Sequence, residues 1–305
     1  MIQNFDSLYD MMEAFPDEQS CIDQLRSIRW KESAYCPHCG STKVYHFSDN
    51  KTHKCGDCRK RFSIKVGTIF EDSKIALRKW FVAIYLITSH KKGIASTQLA
   101  KDIKVTQKTA WFMLQRLRHA SQTRSFNQPL SGCVEIDETY VGGKESNKHK
   151  NKKKKGTQGR STKTKTAVIG MVERGGKLQT KSVTNVDSSS IIPIITDNVE
   201  FGTSIMTDEF RCYRQLSDRY NHRYITHSVG EYVNGDIHTN TIEGAWSLFK
   251  RGVVGIHHHI SRKHLDKYLG DFTYRYNTRH LGEGERVNDF LSGCGGRLTY
   301  RKLVS

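Results

Sequence analysis

The sequence predicts an α/β protein in which a small cysteine-bound β-module and a helical region precede a mixed sheet flanked by helices. Three observations carry that expectation. Four cysteines stand in two tight pairs near the N-terminus. The next segment repeats its apolar residues at helical spacing. From residue 133 onward, β-branched strand patterns alternate with helical ones. At 305 residues the chain is long enough for about two domains with cores of their own. The expected divisions are a helical lead (1–33), the cysteine module (34–66), a helical region (74–120), the sheet domain (130–256) and a C-terminal helix and tail (257–305).

The net charge of +18 attracts a polyanion, and nucleic acid is the commonest one in a cell. The N-terminus, MIQNFDSLYDMMEAF, has no basic region ahead of its apolar residues and does not read as a signal peptide. The longest apolar run, Trp80 to Thr88, is far short of the roughly 20 residues a bilayer requires, so no membrane role is expected. A cytoplasmic location follows, where thiols stay reduced and clustered cysteines read as metal ligands.

The leading helix spaces Cys21, Ile22, Leu25 and Ile28 on one face after Pro16. Then Cys36, Cys39, Cys55 and Cys58 form C-x2-C-x15-C-x2-C, two knuckles that suit a tetrahedral structural Zn²⁺ held by four thiolates. Gly40 follows the first knuckle and Gly56 lies inside the second, where backbone amides must turn toward sulfur. VYHF and RFSIKV read as ribbon strands. His38, His46 and His53 are spare, expected on the surface or facing DNA. Such a ribbon buries too little to fold alone, so metal binding supplies its folding free energy.

Three helices follow: Leu77 to Ser89, Ser96 to Ile103 and Thr106 to His119. The short KVT link resembles a helix-turn-helix, whose second helix would place Gln107 and Lys108 at its base-facing end. An ordinary helical hairpin fits the same pattern. After residue 130, CVEIDETYVG, KTAVIGMVERGG and LQTKSVTNV read as strands. SSSIIPIITDNV is a helix with Pro193 near its first turn, SIMTDEF a strand, RCYRQLSDR a short helix and RYITHS a strand. TNTIEGAWSLFKRG is a closing helix, and SRKHLDKYLGDFTYRYN one more. This order is that of the ribonuclease H-like fold. Between the first two strands, residues 144–165 hold ten Lys or Arg against one Glu, hence +9. Such density cannot fold on itself, and Lys152, Lys153, Lys154 and Lys155 are expected either to neutralise phosphates or merely to be solvated.

In that fold Asp137, on the first strand, and Asp208, ending the fourth, reach one sheet edge. Glu243 lies on the closing helix, with 34 residues between it and Asp208. Lys250, seven residues on, shares nearly the same helical face and can follow a DNA backbone with Arg251. Carboxylates so gathered suit Mg²⁺ (or Mn²⁺), an oxygen-seeking ion used to cleave phosphodiesters. Plain alternatives stand beside each: exposed strand ends for the aspartates, and a capping box in which Glu243 reaches back to Asn240. Glu135, Glu138 and Glu209 read as solvated or supporting neighbours. The three histidines 257–259 diverge and fit surface or DNA contact.

CPHCGS, KCGDCRKRFSIKVGTIFEDSKIALRKWF, VEIDETYVGGKE, IMTDEF, HTNTIEGAWSLFKRGV and HLDKYLGDFTYRYN together resemble the zinc-ribbon-bearing DDE transposases of bacterial insertion sequences, those with an ISXO2-like transposase domain, over residues 15 to 290. The resemblance implies a ribonuclease H-like core, Mg²⁺-dependent strand transfer, and recognition of the element's terminal repeats by the N-terminal modules. It also implies a nucleoid-associated bacterial protein acting on DNA as a dimer or higher. By position, Asp137 and Asp208 are its first two acids and Glu243 with Lys250 completes the set. Asn240 is a rival third position, since some branches carry asparagine there. A nuclease that cuts without joining, and an inert zinc-ribbon DNA-binding regulator, are the other functions weighed.

Overall fold

Apolar periodicity and local caps account for most elements of the computed structural model, which describes residues 2–122, 129–143, 149–154, 156–157 and 161–304. Two units divide the chain. One takes the described residues up to 122 and those from 278 on; the other takes residues 129–277.

In the first unit, α1 (Leu8–Ala14) is capped by Ser7 and α2 (Glu18–Arg29) by Asp17, whose side chain takes the Ser20 amide at 2.8 Å. The predicted stripe of Cys21, Ile22, Leu25 and Ile28 is buried. Glu18 then accepts the amides of Leu77 and Arg78 (2.9 and 3.2 Å), capping α3 (Leu77–Ser89) from α2. Between them β1 (Val44–His46), β2 (Thr52–Cys55) and β3 (Arg61–Ser63) form an antiparallel ribbon. α4 (Ser96–Asp102) and α5 (Gln107–Gln122) follow, separated by a turn in which Lys104 has φ +50°. The C-terminal tail of the sequence reading holds two further helices in this unit: α9 (Glu283–Ser292) on α2 and α3, and α10 (Tyr300–Val304) on α5.

The second unit is a five-stranded sheet. β4 (Cys133–Val141), β5 (Thr166–Glu173) and β6 (Leu178–Val183) run antiparallel as a meander. α6 (Ser188–Asn198) leads to β7 (Ser204–Thr207), and a 3-10 helix (Arg211–Asp218) to β8 (Asn221–Tyr224). The spatial order is β6-β5-β4-β7-β8, with β7 parallel to both β4 and β8. That is the ribonuclease H-like arrangement the element order predicted. Alternation assigns the faces. Val134, Ile136, Ala167, Ile169 and Met171 pack with Ile191 and Ile195 of α6. On the other face Val168 and Val172 pack with α7 (Asn240–Gly252) and α8 (Leu265–Asn277). Gly170 belongs to that second face. A Cβ there would stand 2.7 Å from Trp246 Cη2 and 2.9 Å from Ile242 Cδ1, so glycine lets α7 lie directly on the sheet. Pro193 sits in the second turn of α6 rather than its first.

Candidate active site and zinc centre

The four cysteine sulfurs all lie within 4.8 Å of one another. Cys36 to Cys58 and Cys39 to Cys55 are each 3.6 Å apart, about the edge of a tetrahedron with the roughly 2.3 Å arms of a zinc–thiolate site. The His38 amide points at the Cys36 sulfur and the Cys58 amide at that of Cys55, both at 3.4 Å. The latter bond holds the Cys55 thiol low, at about 6. The donor set fits Zn²⁺. Gly40 (φ +77°) turns the first knuckle as expected, but in the second the left-handed residue is Arg59 (φ +62°). Gly56 serves another purpose: its amide donates to the Lys43 carbonyl at 2.7 Å, and a Cβ would crowd Lys43. His53, expected at the surface, is fully buried between Trp30, His46 and Phe62, and burial lowers its pKa to about 4. It follows Thr52 and alternates inward with Cys55, so strand parity decides its place.

In the helical pair, Gln107 and Lys108 are exposed at the start of α5. Gln107 donates to Ser96 Oγ at 2.8 Å and thereby joins the first turns of α4 and α5.

The carboxylate candidates all lie in the second unit. Parallel register pairs Cys133 with Ser204 and Glu135 with Met206. Continued two residues, it brings Asp208 level with Asp137 on the adjacent strand, at the usual spacing of about 5 Å. Asp208 is nearly buried and accepts the Phe210 amide at 3.0 Å. Asp137 is partly exposed on the face covered by α7. Burial, then the Asp208 carboxylate, then Glu243 push its pKa up to about 6, against the Glu138 amide and Lys250, which lower it. One carboxyl therefore feels the other three candidate residues.

Glu243 stands on the exposed face of α7 with Asn240, Ser247, Lys250 and Arg251, while Ile242, Ala245, Trp246 and Phe249 face inward. The cap of this helix is Thr239, not Asn240. Instead of closing a capping box onto the Asn240 amide, Glu243 Oε1 accepts the Thr239 hydroxyl at 2.7 Å and lies 3.7 Å from His227 Nε2. Among the described residues the four cysteines are the one set of three or more His, Cys, Asp or Glu ligand atoms within 4.8 Å, so the three carboxylates do not all meet at that distance. Nor do the histidines 257–259 converge: His257 packs on the Tyr268 ring, and His258 and His259 are exposed. In chemical type the three carboxylates are the oxygen donors Mg²⁺ or Mn²⁺ takes.

For Glu135 and Glu138 the supporting reading holds and the solvated one does not. Glu135 is fully buried and bonded to Arg174, Thr241 and Ile242. Glu138 points to the opposite face, where it accepts the hydroxyl of buried Tyr213. Neither is solvated. Glu209 accepts the amides of His227 and Ser228 (2.9 and 3.2 Å), supporting the segment that brings His227 to Glu243. Lys152, Lys153 and Lys154 are exposed, and Lys155 lies outside the described residues.

Comparison with known proteins decides the family. Residues 129–277 match the ISXO2-like transposase domain and residues 16–61 the transposase zinc-ribbon domain. An uncharacterized protein in the transposable element ISH50 of Halobacterium salinarum is 33% identical over 279 residues, 87% of this chain and 92% of that protein. The chain belongs to the ISXO2-like transposase family. An uncharacterized transposase-like protein of Haemophilus influenzae is 29% identical over 106 residues, 34% of this chain and 85% of that protein. Among solved structures, a pre-cleavage Mos1 transpososome is similar at 13% identity and TM-score 0.24, over 72% of this chain and 80% of that one. The mariner Mos1 paired end complex with Mg is similar at 12% and 0.26, over 71% and 79%. The fold assignment of this transposase rests on its strand order and register rather than on those superpositions. Among the described residues, no helix is long and apolar enough to cross a membrane.

Proposed function

We propose that this transposase cleaves DNA at the ends of its insertion sequence and joins the freed 3′ ends to target DNA. Asp137, Asp208 and Glu243 would hold Mg²⁺ or Mn²⁺. The observation that carries this reading is the parallel register of β4 and β7, which continued past Met206 would set Asp208 level with Asp137, together with the rise of Asp137 to about 6 through burial and its acidic neighbours. A carboxyl kept at that cost suits a site built to receive positive charge. When bound, the ion supplies the charge that ionises an attacking water or 3′-hydroxyl and stabilises the departing oxygen.

The chain's own residues bind and orient. Lys250 and Arg251, exposed on the face of α7 that carries Glu243, take the phosphates beside the cut. Thr239 engages one oxygen of Glu243, which orients the carboxylate from the start of α7. Asn240, one turn earlier on the same exposed face, would serve as an accessory ligand. Hydrolysis at an element end leaves a 3′-hydroxyl, and that hydroxyl then displaces a 3′-oxygen from a target phosphodiester. Both are in-line displacements at phosphorus in one site. Gln107, Lys108 and the Lys152–Lys155 run would hold the terminal repeats and target backbone, and joining two ends requires at least two copies on DNA.

The test is paired-end cleavage with Mg²⁺ by Asp137→Asn. Cleavage should vanish while binding to end DNA persists, and undiminished cleavage would remove the site. Cleavage without joined product in the wild type would make the protein a nuclease on the same fold. Glu243→Gln should cost more than Asn240→Ala; the reverse order would make Asn240 the third ligand.

A further inference from the structure

α7, which carries Glu243 and Lys250, is not capped by its own sequence. Its cap residue Thr239 makes no side-chain bond to the helix amides, and its hydroxyl donates to Glu243. The second and third amides of α7 belong to Thr241 and Ile242 and have no acceptor within the helix. They donate instead to Glu135 Oε2 on β4, at 2.7 and 3.0 Å. The other oxygen of Glu135 accepts the Thr241 hydroxyl at 2.9 Å and Arg174 Nε at 2.7 Å, and lies 3.2 Å from His238 Nδ1. Arg174, just past β5, also donates to the carbonyls of Asp236 and His238 at 2.8 and 3.0 Å.

Apart from their bond to each other, these partners of Glu135 and Arg174 all fall between residues 236 and 242, the segment entering α7. A fully buried carboxylate is costly unless all its lone pairs are engaged, and this one has donors on both oxygens. Glu135 also shares a strand and a face with Asp137, two residues on. A short path therefore joins the first acid to the third: two residues of β4, one hydrogen bond, and two residues of α7.

We propose that Glu135 and Arg174 form a clamp that fixes the start of α7 against β4, making Glu135 the positioning residue that sets Glu243 and Lys250 relative to Asp137. The inference rests on the reading of Asp137, Asp208 and Glu243 as ion-holding acids. A glutamate serving stability alone would lower the amount of folded protein without changing the geometry of what folds. The clamp predicts the opposite: folded protein with a misplaced third acid.

The full-length protein with its zinc is compared as wild type, Glu135→Gln, Glu135→Asp, Glu243→Gln and the double Glu135→Gln/Glu243→Gln. Hydrogen exchange at residues 239–243 should quicken at least about tenfold in Glu135→Gln. Mn²⁺ affinity, read by electron paramagnetic resonance without DNA, should fall about tenfold. Single-turnover cleavage of end DNA should slow about 10- to 100-fold with DNA affinity unchanged. Glu135→Asp keeps the charge but is one methylene short, and should restore little. The double variant should be slower than Glu243→Gln by far less than the factor Glu135→Gln costs alone, since the two changes share Glu243 and only the placement of Lys250 is left to lose. Unchanged exchange, or losses that multiply in the double variant, would overturn the clamp. If Glu135→Gln does not fold, Arg174→Gln leaves the two amide bonds in place, frees residues 236–238, and carries the same comparison. If the wild type neither binds Mn²⁺ nor cleaves, the functional reading falls, while exchange still decides the clamp.

Discussion

Replacing Asp137 by asparagine should make the ion-free transposase more stable, although it removes a residue proposed to be indispensable. The carboxyl has an ordinary pKa of 3.8 and titrates near 6 in the folded protein. At about 1.4 kcal/mol per pH unit, that gap corresponds to about 3 kcal/mol against the ionised folded state. Partial exposure screens the repulsion, so a gain of about 1–3 kcal/mol is expected for the variant. Because the folded pKa is raised, the native state favours the protonated carboxyl. Wild-type stability from this group is therefore complete below about pH 3.8, declines as pH rises toward 6, and stays reduced above it. The two proteins should melt together near pH 4 and separate by several degrees at pH 8, measured by thermal unfolding with zinc bound and no other divalent ion. Added Mg²⁺ should raise the wild-type midpoint at pH 8 and move the variant far less. An asparagine variant equal to or less stable than wild type at pH 8 would show that Asp137 makes favourable native contacts, and the argument for an acid awaiting a cation would be lost.

Gly170→Ala sets a methyl against Trp246 and Ile242, so urea unfolding should report a loss of about 1–3 kcal/mol, and cleavage should fall as α7 is lifted from β4. Changing Lys152, Lys153 and Lys154 together to alanine should weaken DNA binding at low salt and flatten the slope of log K against log salt by up to about 3, as three lost phosphate contacts require. An unaltered slope would mean the run is merely solvated. Cys55→Ser should take zinc content from one ion per chain to near none and open residues 34–66 to limited proteolysis, since the metal supplies the ribbon's folding free energy.

How far the sequence could be read depended on whether a residue's partners lie nearby in the chain. The sheet was legible because β5 alternates cleanly, Ala167, Ile169 and Met171 to one side and Val168 and Val172 to the other, and its neighbours carry the same parity. The zinc site was legible because all four ligands sit in two four-residue spans. His53 was misplaced although its parity with Cys55 in β2 puts both inward, a signal available in the four residues THKC. The cap of α7 could not be settled locally. Thr239 and Asn240 are both good cap residues, and the acceptor for the helix amides stands more than 100 residues earlier, on Glu135. The helices α9 and α10 were read as tail because their apolar residues find partners on α2, α3 and α5 rather than next to themselves.

The same distinction explains why one strand carries three acids in so basic a chain. Parity sends Glu138 to one face and Glu135 and Asp137 to the other. Glu138 is answered by the Tyr213 hydroxyl, and Glu135 by Arg174 and the first turn of α7, so the protein itself compensates both. Asp137 is treated differently. Its neighbours include two more carboxyls, and the amide of Glu138 and the charge of Lys250 do not bring it back to its ordinary range. Asp137 thus remains electrostatically unfavourable after folding. A binding partner of positive charge is what such a residue lacks, whereas removing either of the others would break the protein's own bonding.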